Sequence, residues 1–148
     1  MHPEPREYLE FIACYSPELQ ALHRAARQRL LDLLPSVIEL MFDATQAVTT
    51  GFSFTEKSRD HFIHLPMYGK GINLGFNHGA KLHDPEGRLI GTGSQVRHLK
   101  LRDLAVLDDP YVLDLIEQSM ALAPKPDGDA EPRTIIRVME GAKRRPGK

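Results

Sequence analysis

Residues 61–77 read HFIHLPMYGKGINLGFN, and the fold turns on how they divide. Tyr68-Gly69-Lys70-Gly71 has the composition of a tight turn. After it, Ile72, Leu74 and Phe76 alternate with Asn73, Gly75 and Asn77, the period of two expected of a strand with one covered face. Before it, HFIHLPMY predicts a second strand. Pro66 has no N–H to give to a ladder, so it places the end of that strand near an edge or bulge. Two strands joined by a glycine turn make an antiparallel hairpin.

The same period continues outward. Val48, Thr50, Phe52 and Phe54 alternate with Ala47, Thr49, Gly51 and Ser53 as a further strand, and polar TEKSRD links it to the hairpin. VRHLKLR, at 96–102, is a fourth, with Leu99 and Leu101 on the face of Arg97 and Val96, His98, Lys100 and Arg102 on the other. Helices flank this block. Glu7 to Tyr15 predicts a short opening helix, and Ser16-Pro17-Glu18 is a helix start with Ser at the N-cap and Pro at the first helical position. Leu19, Leu22, Ala26, Leu30, Leu33 and Leu34 then form one apolar stripe opposite Arg24, Gln28 and Asp32. Pro35 interrupts it, and Ser36-Val37 opens another helical turn or a short strand reaching Phe42. Asp109-Pro110 starts a last helix with Val112, Leu113, Ile116 and Met120 inward, stopped by Pro124 and Pro126. Helices, then antiparallel strands, then a helix imply an α+β domain: a sheet of about four to six strands packed on one face by N- and C-terminal helices. Residues 1–123 make this single domain, and 124–148 form a Pro-rich, then basic, tail in which Thr134 to Met139 is apolar enough to dock.

Length and composition suit one soluble domain: 148 residues, 41% apolar and 26% charged. Nothing approaches the run of about 20 apolar residues that a membrane span needs. MHPEPREYLEF has acids where a signal peptide would be basic and then apolar, so a cytoplasmic protein is expected. The single cysteine, Cys14, offers no disulfide framework and sits in apolar LEFIACY, which reads as a small hydrophobe rather than a reactive thiol. Residues 1–123 carry 12 Lys and Arg against 16 Asp and Glu, whereas 124–148 carry 7 against 4. Four clustered basic residues without aromatic partners do not make a nucleic-acid site.

Five of the seven histidines fall between 61 and 98: His61, His64, His78, His83 and His98. Such density raises a metal site, iron or zinc, on His61, His64, His78 and His83 with Asp84. Spacing opposes its simplest form, since His61 and His64 in one extended strand point to opposite faces. Gly91-Thr92-Gly93-Ser94 resembles a phosphate-cradling loop, but a strand follows where a helix N-terminus should. Its glycines are explained by turn geometry, or by a backbone nest that holds an anion with Arg88, Arg97 and Lys100 nearby. Asp84 and Glu86 sit in DPEG, a turn signature with Pro second and Gly fourth. There is no GxSxG elbow and no nameable nucleophile, so an enzyme has no positive support and the expectation leans against one.

NLGFNHGAKLHDPEGRLIGTGSQVRHLKL resembles the core motif of the YdhG-like domain family, a domain of unknown function. Gly79, Ala80, Leu82, Asp84, Pro85, Gly91, Gly93, Arg97 and His98 carry the resemblance, which extends over about 15–122. It implies a curved antiparallel sheet packed by helices. One branch of the family is regarded as a frataxin-like iron chaperone that holds iron on acidic surface residues. Here the shared motif is basic and the acids are scattered along the helices.

Arg97 and His98 begin a strand on opposite faces, so one of them meets the covered side, where a charge needs a partner. Asp84 is the expected partner of Arg97, in an ion pair pinning the loop to the sheet. The leading functional expectation is a small binding domain that holds a small anionic ligand, or an acidic segment of a partner protein, at the Gly79–Arg97 loop. Lys81, Arg88, Arg97 and His98 would be the contacts, with Gly91 and Gly93 allowing close backbone approach. A metal-binding or chaperone protein is the alternative, and no cofactor is required by the first reading. Pairing of an exposed edge strand into a homodimer is left open.

Overall fold

The computed structural model describes residues 2–34, 36–44, 46–126 and 131–138. Three helices, α1 (Arg6–Ile12), α2 (Pro17–Leu33) and α3 (Pro110–Leu122), pack on a sheet built of β1 (Ile38–Asp43), β2 (Val48–Ser53), β3 (Ile63–His64), β4 (Met67–Tyr68), β5 (Gly71–Phe76), β6 (Arg97–Lys100) and β7 (Arg133–Val138). This is the α+β architecture implied by the sequence. Both long helices start as their sequences require. Ser16 accepts from the Leu19 amide and Asp109 from the Tyr111 amide, each followed by proline. Among the described residues no helix is long and apolar enough to cross a membrane.

The sheet departs from expectation in two respects. It has seven strands rather than four to six, and it is mixed rather than antiparallel. The first difference comes from Pro66, which breaks HFIHLPMY into β3 and β4. Both halves lie between β2 and β5, so the seven strands occupy six positions in the order β6, β5, β3/β4, β2, β1, β7. The second comes from the expected tail: TIIRV of β7 runs parallel to β1, with Leu40 against Ile135. Residues 36–42, open to either reading, resolve as strand β1. The Met67–Tyr68 and Gly71–Ile72 arms meet across Gly69-Lys70, which confirms the hairpin.

Register places two neighbouring rows on opposite faces. Glu39, Phe52, Ile63, Phe76 and Arg97 stand side by side across five strands. Most of this row faces the helices, and Phe52, Ile63 and Phe76 join Leu30, Leu34, Leu115 and Ile116 in one core. Leu40, Gly51, His64, Gly75 and His98 form the adjacent row, so they point to the other face.

The core contains a polar centre that the leucine stripe of α2 does not announce. Arg27 and Glu39 are both 0% exposed and meet through two bonds of 2.7 Å. Thr50 donates to Glu39 at 2.5 Å and Thr134 at 2.8 Å, so this carboxylate joins α2, β1, β2 and β7. Burial pushes the Glu39 carboxyl up, but the Arg27 bonds and charge and the two threonines outweigh it and hold it below the ordinary range. His23 is also buried. Its Nε2–H donates to the Leu65 carbonyl at 2.8 Å, which leaves Nδ1 to accept from the Tyr8 hydroxyl at 2.6 Å. Burial lowers the His23 pKa to about 4.

Candidate functional site

The Gly79–Arg97 loop is held by its own side chains. Asp84 accepts the amides of Arg88 and Leu89, both at 3.0 Å, and the Tyr111 hydroxyl of α3. Gly87 takes a positive φ of 64°, completing the DPEG turn. Burial opposes ionisation of Asp84, yet these donors keep its carboxyl below the usual range. Arg88 lies over the Tyr111 ring at 4.3 Å and pairs with Glu86 at 3.0 Å and Asp109 at 2.7 Å. That arginine is committed to structure.

The expected pair of Asp84 with Arg97 does not form. Arg97 donates instead to the carbonyls of Gly93 and Val96, at 2.6 and 2.9 Å, and closes the GTGS segment on itself. Its side chain crosses Gly79 so closely that a Cβ there would stand 2.4 Å from the Arg97 Cβ. Gly91 has a φ of 136°, so turn geometry accounts for this glycine. Gly93 and Lys81 are exposed. The loop therefore brings Arg88, Gly91, Gly93 and Arg97 together as scaffold, and of its cations only Lys81 has no hydrogen bond or ion pair among the described residues.

Free positive charge lies next to the loop. Lys70 of the hairpin turn, Lys100 of β6 and Arg102 just beyond it line a groove of about 510 Å³. Its apolar walls are Leu19 and Leu22 of α2 with Ile72 and Leu101, and no acidic side chain lines it. None of the three cations has a hydrogen bond or ion pair among the described residues. An adjoining groove of about 460 Å³ shares Lys100 and Arg102 but contains Asp103 and Asp109. Sequence reasoning missed this site because Lys70 and Arg102 are 32 residues apart. Only the β4–β5 turn and the β5–β6 pairing bring them to one sheet end.

The predicted metal set is divided. His83 is held through its backbone by Gln118 of α3, and Asp84 by Tyr111. Among the described residues no group of three or more His, Cys, Asp or Glu is placed to hold a metal ion. His61 and His64 do meet, in correction of the opposite-face expectation. β3 begins only at Ile63, and His61 caps the 3-10 turn Ser58–Asp60, so strand alternation does not reach it. Their rings stand 5.6 Å apart, edge to face.

Asn77 links the two rings and fixes their protons. His61 Nδ1 faces the Ser58 carbonyl and must carry hydrogen, so Nε2 accepts from Asn77 Nδ2 at 2.8 Å. Asn77 Oδ1 then accepts from His64 Nδ1–H at 2.8 Å, which leaves the His64 Nε2 lone pair without a partner among the described residues. Glycine makes the arrangement fit: a Cβ on Gly75 would stand 2.1 Å from His64 Nε2, and one on Gly51 3.0 Å from the His61 ring. Burial lowers both histidines, His64 to about 4. The charges of His78 and His98 act in the same direction on His61 and His64 respectively.

No protein-family profile, curated protein or solved structure matches the chain.

Proposed function

We propose that the protein is a small binding domain that holds an anionic ligand with an apolar body, or an acidic segment of a partner protein, in the groove of Lys70, Lys100 and Arg102. One observation carries this reading: three cations without a partner among the described residues converge on an apolar floor that no described acidic side chain lines. A carboxylate or phosphate placed there gains charge-assisted hydrogen bonds from Lys and Arg, while Leu19, Leu22, Ile72 and Leu101 cover carbon. The basic motif residues of the Gly79–Arg97 loop enter differently than the sequence implies. Arg88 and Arg97 shape the segment that ends in β6 and thereby present Lys100.

The test is a thermal-shift screen of the full chain against phosphate- and carboxylate-bearing metabolites and acidic peptides. A ligand at a hundred times its Kd adds about 2.7 kcal/mol, a midpoint shift of several degrees for a domain of this size. The shift is expected to vanish in Lys100→Ala/Arg102→Ala and to weaken as salt rises. A shift that survives that double variant but is lost in Lys81→Ala would move the site back to the loop. No shift with any anion would overturn the reading.

A further inference from the structure

We propose that the sheet face turned away from the helices contains a second and independent site, a pocket that takes a neutral aromatic molecule bearing one hydroxyl or N–H group. The pocket has a volume of about 300 Å³, at the lower end of small-molecule sites and enough for one or two rings. Phe42, Ala44, Ala47, Pro66 and Tyr68 supply apolar surface around it, and Gln46, Thr49 and the two imidazoles are its polar groups.

Three features say that it is built to be filled. Thr49 lines it, and the Thr49 Oγ1 is buried with no hydrogen-bond partner among the described residues. A buried hydroxyl left unpaired is costly, and native structures pair nearly all such groups. His64, which also lines it, keeps an Nε2 without a partner among the described residues, because the Ser58–His61–Asn77–His64 chain consumes every other ring nitrogen, and this nitrogen lies over Gly75. Finally, Gly51 and Gly75 lie beneath the rings where any side chain would displace them. Glycine weakens a strand interior, and its presence at two cross-strand positions marks close approach.

The chemical class follows from what the wall lacks. Among the described residues no Lys, Arg, Asp or Glu lines the pocket, and burial keeps His61 and His64 neutral at ordinary pH. A charged ligand would lose hydration with no counter-charge to replace it. A neutral ring stacks on the aromatic wall and gives its polar hydrogen or oxygen to Thr49. The cationic groove selects for the opposite property, so a ligand of one site does not suit the other, although Tyr68 borders both.

Phenol, toluene and benzoate separate the terms: hydroxyl, ring alone, and charge. Each would be titrated into the full chain and into Thr49→Val, followed by the NMR signals of residue 49 and the His61 and His64 rings. Valine suits a strand and leaves the shape unchanged, so a native spectrum is expected for the variant. The native protein is expected to bind phenol at least about fivefold more tightly than toluene, the worth of one hydrogen bond. Thr49→Val should keep toluene binding and lose that preference, and benzoate should not bind the pocket. Equal affinity of phenol and toluene in the native protein would overturn the proposal, and needs no variant to observe. Benzoate binding as tight as phenol, no perturbation of these signals, or a phenol preference that persists in Thr49→Val would do the same. Inorganic phosphate, the probe of the groove, should leave the signals in place.

Discussion

Thr49 and Thr50 are neighbours in one strand, yet their hydroxyls have opposite situations. Thr50 points toward the helices and gives its proton to Glu39, inside a cluster that ties α2, β1, β2 and β7 together. Thr49 points to the other face, where its buried oxygen meets no partner among the described residues. Strand geometry sends consecutive side chains to opposite faces, so this one step along the chain crosses from a polar centre built for stability to a pocket with open valences. Arg27 and Glu39 are nearly saturated, with only Arg27 Nη1 lacking a partner. The difference separates polar groups that hold a fold from polar groups available to a ligand.

The largest effect should come from breaking the saturated side. Glu39→Ala leaves Arg27 as a buried, uncompensated charge, and removing one member of a buried pair costs about 3–5 kcal/mol. Denaturant unfolding is expected to show a loss of that size. A well-packed Arg27→Met/Glu39→Leu double variant should recover much of it, and a recovery of nothing would deny that the pair is a closed unit.

Acid should act next, and mostly through His23. Its folded pKa is depressed to about 4 by burial against an unfolded value near 6.5. Between these values the unfolded chain binds the proton and the folded chain does not, so stability is full above pH 6.5 and falls as pH drops toward 4. The loss amounts to roughly 3 kcal/mol for this one group. His64, also lowered to about 4, adds to the same slope. A flat unfolding free energy from pH 7 to 4.5 would refute both. His64→Gln should remove only its own share and leave that of His23.

The smallest effect tests the comparison most directly. Thr50→Val strips a donor from the Glu39 carboxylate and should cost about 1.5–3 kcal/mol, the range of a hydrogen bond to a charged group. Thr49→Val deletes a hydroxyl that has no partner and should be neutral or stabilising by up to about 1 kcal/mol. The same substitution at adjacent positions thus carries opposite signs, readable as two shifts of Tm. Shifts of the same sign would erase the distinction between the two faces.

Much of this was legible in the residues. Caps, prolines and the switch in period from 3.6 to 2 located all three helices, the Gly69-Lys70 turn and most strands, because these signals act within a few residues of where they are read. The DPEG turn was legible for the same reason. The strand nature of TIIRV was not, since a parallel edge strand is defined by its neighbour β1, about 95 residues away in register. Nor was the fate of Arg97, which had two carbonyls of its own loop within reach. Proximity in the chain won over the more distant Asp84.

What the sequence by itself determined is the α+β class, the hairpin and the helix starts, all properties of local backbone preference and of which side chains leave water. Tertiary structure alone decided the geometry on which the proposed sites rest. It gathered Lys70, Lys100 and Arg102 at one end of the sheet and set His61 beside His64 over two glycines. It also paired Thr50 while leaving Thr49 open. Each depends on which strands become neighbours, and outside the hairpin, where the turn fixes the register, that is decided by packing between segments remote in sequence.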